Sequence, residues 1–338
     1  MTSKDVAEKV GVSRTTVSLV LNDVRGVQIS EKTRKKVLDA ANQLGYVPNA
    51  AAQALASRRT KAIGFVLTRT QHHIATDAFL PSIISGLLTT AKKQNIRILI
   101  DWVEMDHQES AYFELAHTKR IDGMILSTPR LDDKGLKALE NVDIPTVLMG
   151  SLAGSNLPFV DVDNIKAAEK ATSYLLDLGH RNIACIANSG PEFASGKERV
   201  QGYENALSKQ GIPLNQSLIN YADFDPESGY KSMKTVIKNG ETFTAVFVAS
   251  DNVAIGAKSA LREANLRVPN DVSIMGFDDI PWAKYSDPPL TTIHLPAESL
   301  AQSACTLLLN LIQDHERNRQ QQIVLDTKLV VRESCIPL

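Results

Sequence analysis

The sequence predicts an all-α head followed by two α/β lobes with mostly parallel sheets. Three observations predict this order. Residues 1–60 hold ten Lys and Arg against five Asp and Glu, a net charge of +5, while the other 278 residues hold 27 against 33, a net of −6. The same first 60 residues divide into short helix-length segments closed by Gly11 and Gly45. From Lys61 onward, short apolar runs alternate with amphipathic stretches, the pattern of parallel sheets covered on both faces. A chain of 338 residues exceeds what one compact domain needs. A basic head on an acidic body would meet a polyanion with the head.

The first helix starts at Thr2, which can cap it, with Asp5 three residues later completing a reciprocal capping arrangement. Val6, Ala7 and Val10 then share a face, and Gly11 ends the helix where a left-handed backbone is cheap. Ser13 caps the second helix, whose inward face is Val17, Val20 and Leu21. Two short helices joined by GVS fit a helix-turn-helix, whose second helix is offered to a DNA major groove. Arg14 and Thr15, in its first turn, are placed to reach base edges, Arg14 being suited to a guanine. Ser13, Thr16 and Ser18 are short enough to bond phosphates without holding the helix away. The alternative is an ordinary solvated arginine among capping hydroxyls.

A third helix, ISEKTRKKVLDAANQLGY, is capped by Ser30, carries a stripe of Val37, Leu38, Ala41 and Leu44, and closes at Gly45. Lys32, Arg34, Lys35 and Lys36 crowd its start against the helix dipole. A phosphate backbone would offset them, as would Glu31 and solvent. After YVPN, the segment AAAQALASRRT favours helix by composition but is too short to hold one alone, so it reads as a linker that folds when its surroundings allow. Leu55, its large apolar side chain, either wedges between base steps of a minor groove or docks on the body.

In the body, AIGFVL, IRILI, GMILS, TVLMG, IACIA, AVFVA and VSIMGFD read as strands among helices such as PSIISGLLTTAKKQN and NIKAAEKATSYLLDLGH. The second lobe is expected to begin at LGHRNIACIANSG. Neither lobe carries the dinucleotide-binding glycine fingerprint. Ligands of such sheets bind beyond the carboxyl ends of strands. Those positions hold TRTQHHIATDAF, ANSGPEFASGKER, YADF, ASD and GFDD. Carboxylates, small hydroxyls, an arginine and aromatic rings together suit a small polyhydroxylated or planar polar ligand.

Other classes are disfavoured. Cys185, Cys305 and Cys335 lack zinc-ligand spacing and read as small buried hydrophobes of a reducing compartment. The charged start argues against a secretory signal, and the apolar runs are too short to span a bilayer, so a cytoplasmic protein that meets no membrane is expected. His72 and His73 would point oppositely in a strand, Asp278 and Asp279 are too close in sequence to flank a substrate, and no hydrolase or nucleotide motif accompanies them. His180 reads as structural, at a helix end. No enzyme, metal or cofactor is therefore expected. A sugar-binding module of the periplasmic type would have a similar body, but not the basic head.

The segments KDVAEKVGVSRTTVSLVLN, ISEKTRKKVLDAANQLGYVPNAAAQAL and AIGFV resemble the LacI family of bacterial transcriptional repressors, and the likeness covers nearly the whole chain. The resemblance implies a helix-turn-helix head over residues 1–48, a hinge helix and linker over 49–60, and a periplasmic-binding-protein-like body over 61–338 that binds an effector and dimerises. It places Arg14 and Thr15 at base-reading positions, with Thr16, Ser18, Asn22 and Tyr46 positioning the head. Asn49 opens the hinge helix, and Leu55 is its intercalating leucine. Leu19 stands where many members carry a polar residue.

In the body, the same resemblance gives Arg199 and Asp278 to effector binding, Phe224 to stacking and Phe79 to the first-lobe wall, with Ser195 and Asp251 in further pocket loops. Phe79 and Phe224 as core anchors, and Arg199 with Asp278 as a structural ion pair, are the competing readings. The segment YADFDPESGY is similar to that of a purine-responsive member, but Phe193 and Gly150 depart from that member's ligand residues. The implied partners are a pseudo-palindromic operator in double-stranded DNA, a second copy of the chain, and a sugar or sugar phosphate. A purine, or a serine-phosphorylated phosphocarrier protein, is the alternative within the family. The helix of DAFLPSIISGLLTTAKK, with Phe79, Ile83 and Leu87, is the implied dimer face.

Overall fold

The computed structural model describes residues 1–22, 27–47, 49, 53–54, 57, 59–104, 108–139, 142, 144–314 and 320–338. It divides into two compact units, Met1–Lys61 and Ala62–Leu338.

The first unit packs three helices, α1 (Ser3–Val10), α2 (Arg14–Leu21) and α3 (Glu31–Gln43). Each begins at a hydroxyl cap: Thr2, Ser13 and Ser30 accept from the backbone amides of Asp5, Thr16 and Thr33. Asp5 returns the bond to the Thr2 amide at 2.8 Å, completing the capping box. Gly11 adopts φ 72°, so the chain turns between α1 and α2 without a Cβ penalty. Val6, Ala7, Val17, Val20, Val37, Ala40 and Ala41 form the core. Leu38 was expected in this core and is 42% exposed. The buried stripe of α3 runs Val37, Ala40, Ala41 and Leu44, the i, i+3, i+4, i+7 set, and Leu38 lies about 100° round the helix from Val37.

The second unit contains two lobes. The first is built on a six-stranded parallel sheet ordered β11-β5-β4-β3-β1-β2, from β1 (Ala62–Leu67), β2 (Arg97–Trp102), β3 (Met124–Ser127), β4 (Thr146–Met149), β5 (Phe159–Val162) and β11 (Gln322–Leu325). The second has a four-stranded parallel sheet, β7-β6-β8-β9, from β6 (Ile183–Ala187), β7 (Ile219–Tyr221), β8 (Ala245–Val248) and β9 (Ser273–Met275). An antiparallel pair, β10 (Thr292–His294) and β12 (Lys328–Val330), completes the strands described. The central strands β1, β3, β6 and β8 are buried throughout, as the apolar runs require.

The helices of this unit are α4 (Gln71–Thr76), α5 (Leu80–Lys93), α6 (Gln108–His117), α7 (Lys134–Leu139), α8 (Asn164–Asp177), α9 (Ala194–Lys209), α10 (Pro226–Lys238), α11 (Asp251–Glu263) and α12 (Ala297–Gln313). Helix α8 packs on α9, so the second lobe begins at Asn164 rather than at LGHRNIACIANSG. The chain returns with α12 against α5 and β11 in the first sheet, which makes the sheet discontinuous in sequence. The closing VVRES segment holds only one strand residue, Val330. Its Ser334 instead donates to Ile274 O and accepts from Thr291 N, tying the chain end to β9.

Ile83 and Leu87, expected at a dimer face, are buried in the core where α12 covers α5. The apolar surface left outside is Leu88, at 54%, with Leu99 and Ile100 of the edge strand β2 at 44% and 54%. His180 is structural but bonds away from its own helix, Nδ1 to Thr244 Oγ1 and Nε2 to Ile336 O. The three cysteines are buried, and burial alone pushes the Cys305 thiol up to about 11. Among the described residues no helix is long and apolar enough to cross a membrane.

Helices α10 and α11 meet backbone to backbone. A Cβ on Gly256 would stand 1.7 Å from the carbonyl oxygen of Pro226 and 2.7 Å from the Tyr230 amide. Neither atom can swing aside, so the helices would have to separate. Gly256→Ala is expected to destabilise the protein by about 3 kcal/mol in urea unfolding.

Candidate functional site

The head presents a groove lined by Arg14, Thr15, Ser18, Asn22, Tyr46, Asn49 and Gln53, with Ser3, Val17 and Leu21 beneath. The residues expected to contact bases and position the head are thus largely on one concave face. Arg14, Thr15 and Ser18 are exposed because Val17 and Val20, on the opposite side of α2, are taken by the core. Ser13 and Thr16 do not line the groove; their hydroxyls bond each other at 2.9 Å at the cap of α2. Asn22 is held at both ends, donating to Ser18 Oγ and accepting from Gln53 Nε2 at 2.7 Å. Sequence reasoning missed Gln53, because nothing local shows that the linker folds back to α2. Asn49 is exposed and its carbonyl accepts from the Gln53 amide. Leu55 lies outside the described residues. Leu19 is half-buried.

In the body, the carboxyl ends of β1, β3, β4, β5, β6 and β8 converge on a cleft between the lobes enclosing about 150 Å³. Phe79, Ser195, Arg199, Phe224 and Asp278 line it. Asp251 does not. Its carboxylate is fully buried behind the wall, accepting from Thr292 Oγ1 at 2.7 Å and the Ile280 amide at 3.0 Å. The first residue of a helix after a strand can face the ligand or the loop beneath, and here the loop from Gly276 to Ile280 claims it. Burial, with repulsion from Asp278, raises its pKa well above the usual range.

Arg199 is the second lobe's central donor. Its Nε donates to Asn164 Oδ1, its Nη1 to Ala249 O at 2.6 Å and to Asp278 Oδ1 at 3.3 Å, and its guanidinium lies 4.0 Å over the Phe277 ring. Burial raises the pKa of Asp278 to about 6 against the opposing pull of Arg199. Across the cleft Arg69 pairs with Asp77, whose Oδ1 accepts from the Phe79 and Leu80 amides at the start of α5.

Phe224 stands in a left-handed conformation, φ 64°, with its amide donating to Asn188 O and its carbonyl accepting from Asn252 Nδ2. Its ring meets Phe193 edge-on at 4.9 Å, and the Arg69 guanidinium lies 4.9 Å over it. Thr128 and Asp278, also in the lining, have φ 56° and 116°. Phe193 is buried behind Phe224, while Gly150 lines the cleft.

The lobes are clasped near the cleft. His72 Nε2 lies 2.9 Å from Asp225 Oδ2, His73 Nε2 lies 3.0 Å from Asp223 Oδ2, and Asn252 Nδ2 donates to Thr76 O. The two histidines are in helix α4, not a strand, so both reach the second lobe. Glu198 accepts from Ser151 Oγ and Asn164 Nδ2, with its pKa raised by burial and then by Asp161.

Sequence reasoning missed Arg69, Asp77 and Asn188 inside loops it had marked, since only tertiary structure shows which loop residues turn inward. Asp161 was missed with its strand: FVDV is only four residues long and interrupted by the aspartate, but Asp161 sits at a strand end, which a recognised β5 would have flagged. Among the described residues no cluster of His, Cys, Asp and Glu is arranged to hold a metal.

Residues 2–49 match the family described as bacterial regulatory proteins, lacI family, and residues 172–335 match the periplasmic binding protein-like domain. The chain is 34% identical over 335 residues to the HTH-type transcriptional regulator RegA of Clostridium saccharobutylicum, covering 98% of both chains. It superposes on the lac repressor dimer bound to operator and the anti-inducer ONPF with a TM-score of 0.87, at 29% identity and 99% coverage of both chains. It also superposes on the transcriptional regulator CelR–cellobiose complex with a TM-score of 0.77, at 32% identity and the same coverage.

Asp251 and Ser195, both expected at the effector site, should differ in what their substitution costs. Asp251→Ala leaves the Ile280 amide and the Thr292 hydroxyl without their acceptor, and should cost about 2 kcal/mol or more in urea unfolding. Ser195→Ala, at the cleft surface, should cost less than about 1 kcal/mol.

Proposed function

The chain belongs to the LacI family of bacterial regulatory proteins, and we propose that within it the chain is a cytoplasmic repressor whose DNA affinity is set by a sugar-like effector. The observation that carries this is the division of labour between the units: a basic helix-turn-helix groove in one, a two-lobed polar cleft in the other. In this reading α2 enters a major groove, Arg14 and Thr15 read base edges, and Ser18, Asn22, Tyr46 and Asn49 fix the helix on the backbone. The basic start of α3, with Lys32, Lys35 and Lys36 exposed, supplies further phosphate attraction. Ser13 and Thr16 act mainly as the cap, and Leu55 wedges into the minor groove.

One head touches too little DNA for strong specificity, so two act together on a pseudo-palindrome. Leu88 of α5 is exposed, and Leu99 and Ile100 leave exposed apolar side chains on both faces of the unpaired edge strand β2, an edge that a second copy would cover. In the cleft Arg199 and Asp278 orient ligand hydroxyls, with Phe79 and Phe224 as apolar walls and Ser195 as a further hydroxyl contact. The cellobiose complex of CelR supports a sugar as effector. Ligand that favours one angle between the lobes biases the linker, and through it the heads, by a coupling of about 1–3 kcal/mol. The arrangement suits binding: Asp77 and Asp278 pair with arginines, and Asp77 also accepts the first amides of α5.

The test is selection of bound sequences from random DNA, with and without sugars. A palindromic consensus whose occupancy shifts with one sugar is expected; no enrichment by folded protein would leave a binding module as the better account. Arg14→Ala should lose roughly 1–3 kcal/mol on the selected operator and far less on random DNA, measured by anisotropy at fixed salt. Equal losses on both would remove its reading role.

The effector site also has a pH signature. The fold holds the Asp278 proton more tightly than the unfolded chain, so this group favours folding below pH 3.8 and that contribution is gone above about 6. A ligand hydroxyl donated to Asp278 favours its carboxylate. Binding at pH 6 should therefore release protons, and affinity should fall as pH drops below 6. Calorimetry in buffers of different ionisation enthalpy reads the proton count.

A further inference from the structure

We infer that the cleft takes an uncharged, single-ring polyhydroxylated compound and rejects its phosphorylated form. This rests on the reading of the cleft as an effector site, and narrows it.

Charge is the first argument. Among the described lining residues the cations are Arg69 and Arg199, and each is already paired with a lining carboxylate, Asp77 or Asp278. Asp161 adds a third carboxyl group, which accepts from the amides of Ser151 and Val162 and from Asn164 Nδ2 rather than from a paired cation, and whose pKa is raised by burial. Two guanidiniums against three carboxyl groups leave the described lining with no unmatched cation. A phosphate would have to take an arginine from its partner and strand a buried carboxylate, the costly outcome for a buried pair.

The second argument is hydrogen-bond polarity. Arg69 Nε, Ser127 Oγ and Asn188 Oδ1 are buried in the lining without a partner. They are a donor, a hydroxyl of either sense and an acceptor. The Asn188 amide is oriented by its Nδ2 bond to Ser195 Oγ, which leaves the oxygen free. A dianionic phosphate has only acceptors and would face Asn188 Oδ1 with like polarity, whereas a sugar hydroxyl both donates and accepts. The third argument is size. The cleft's volume of about 150 Å³ is comparable with that of a cavity able to hold one six-membered ring.

The experiment uses the full chain and matched pairs: ribose and ribose 5-phosphate, glucose and glucose 6-phosphate, galactose and galactose 6-phosphate. Calorimetric titration should find a neutral member that binds and a phosphorylated counterpart at least about tenfold weaker. A phosphate ester that binds as tightly as its parent, or more tightly, overturns the inference. Inorganic phosphate at fixed ionic strength provides an arm that needs no cognate sugar. It should raise the Tm of Asp77→Asn, where Arg69 is freed and the cap acceptor kept, more than that of wild type. The head responds equally in both and cancels; equal shifts overturn the inference even if no sugar binds. Ser195→Trp fills the cleft and separates the two levels. A sugar that still binds this variant lies elsewhere, and then the effector-site reading itself fails. A phosphate ester preferred by wild type and lost in Ser195→Trp leaves the site standing and refutes only its charge selectivity.

Discussion

Arg199 is a guanidinium removed from water, and the second lobe is arranged to satisfy it. A buried cation is tolerated only when its donors are used and its charge is matched. Asn164, the Ala249 carbonyl and Asp278 take its hydrogens, and the Phe277 ring lies against its face. These partners come from the start of α8, the end of β8 and the loop after β9. One side chain thereby fixes the relative positions of three segments that form the cleft wall. Asp278 is oriented by the same bond, so the group best placed to accept a ligand hydroxyl is set before ligand arrives. Preorganisation of this kind reduces the ordering cost of binding.

The second lobe is thus rigid around the cleft, and the adjustable element is its contact with the first lobe. The histidine–carboxylate contacts of α4 are partly exposed at His72 and at Asp223, and such pairs are individually weak. Apolar contact between the lobes includes Phe79, which packs on two clusters, and one of these runs from first-lobe residues such as Ile63 and Phe65 to second-lobe residues such as Ile183 and Cys185. A ligand seated between Phe79 and Phe224 would lie beside these polar clasps, and beside the backbone bond from Leu131 to Glu192, when it alters the closure angle. A conformational equilibrium shifts only by a ligand's differential affinity for its states. Weak clasps on a rigid wall make a modest differential sufficient.

How much of this was legible in the sequence depended on whether the signal was local. Caps at Thr2, Ser13 and Ser30, the turn at Gly11, and the buried strands β1, β6 and β8 are written in residues within a few positions of each other. The strands that escaped notice, β5, β7, β10 and β11, are short or at sheet edges. Asp251 shows the limit at the site. Its position after a strand and before a helix is that of a ligand contact, and only the returning loop at Ile280 and Thr292 decides that it faces inward. Ile83 and Leu87 fail for the same reason in reverse. Their apolar stripe was visible, but the helix that covers it, α12, comes more than 200 residues later.

Backbone strain gathers where the cleft is made. Thr128, Phe224 and Asp278 are lining residues that carry side chains at positive φ, a conformation costing of order 1–3 kcal/mol each. Such residues persist only where neighbours over-determine them. Phe224 is held by hydrogen bonds at both its amide and its carbonyl, and Asp278 by a bridge to His294 of β10 as well as by Arg199. Regular extended backbone would alternate these side chains away from the cleft, since successive strand residues point to opposite faces. The turn at Phe224 brings its ring against Arg69 of the other lobe, and the turn at Asp278 brings its carboxylate to Arg199. The strain is thus the geometric condition for placing an aromatic face and an acceptor in one small space, and the second lobe's buried hydrogen bonds are what sustain it.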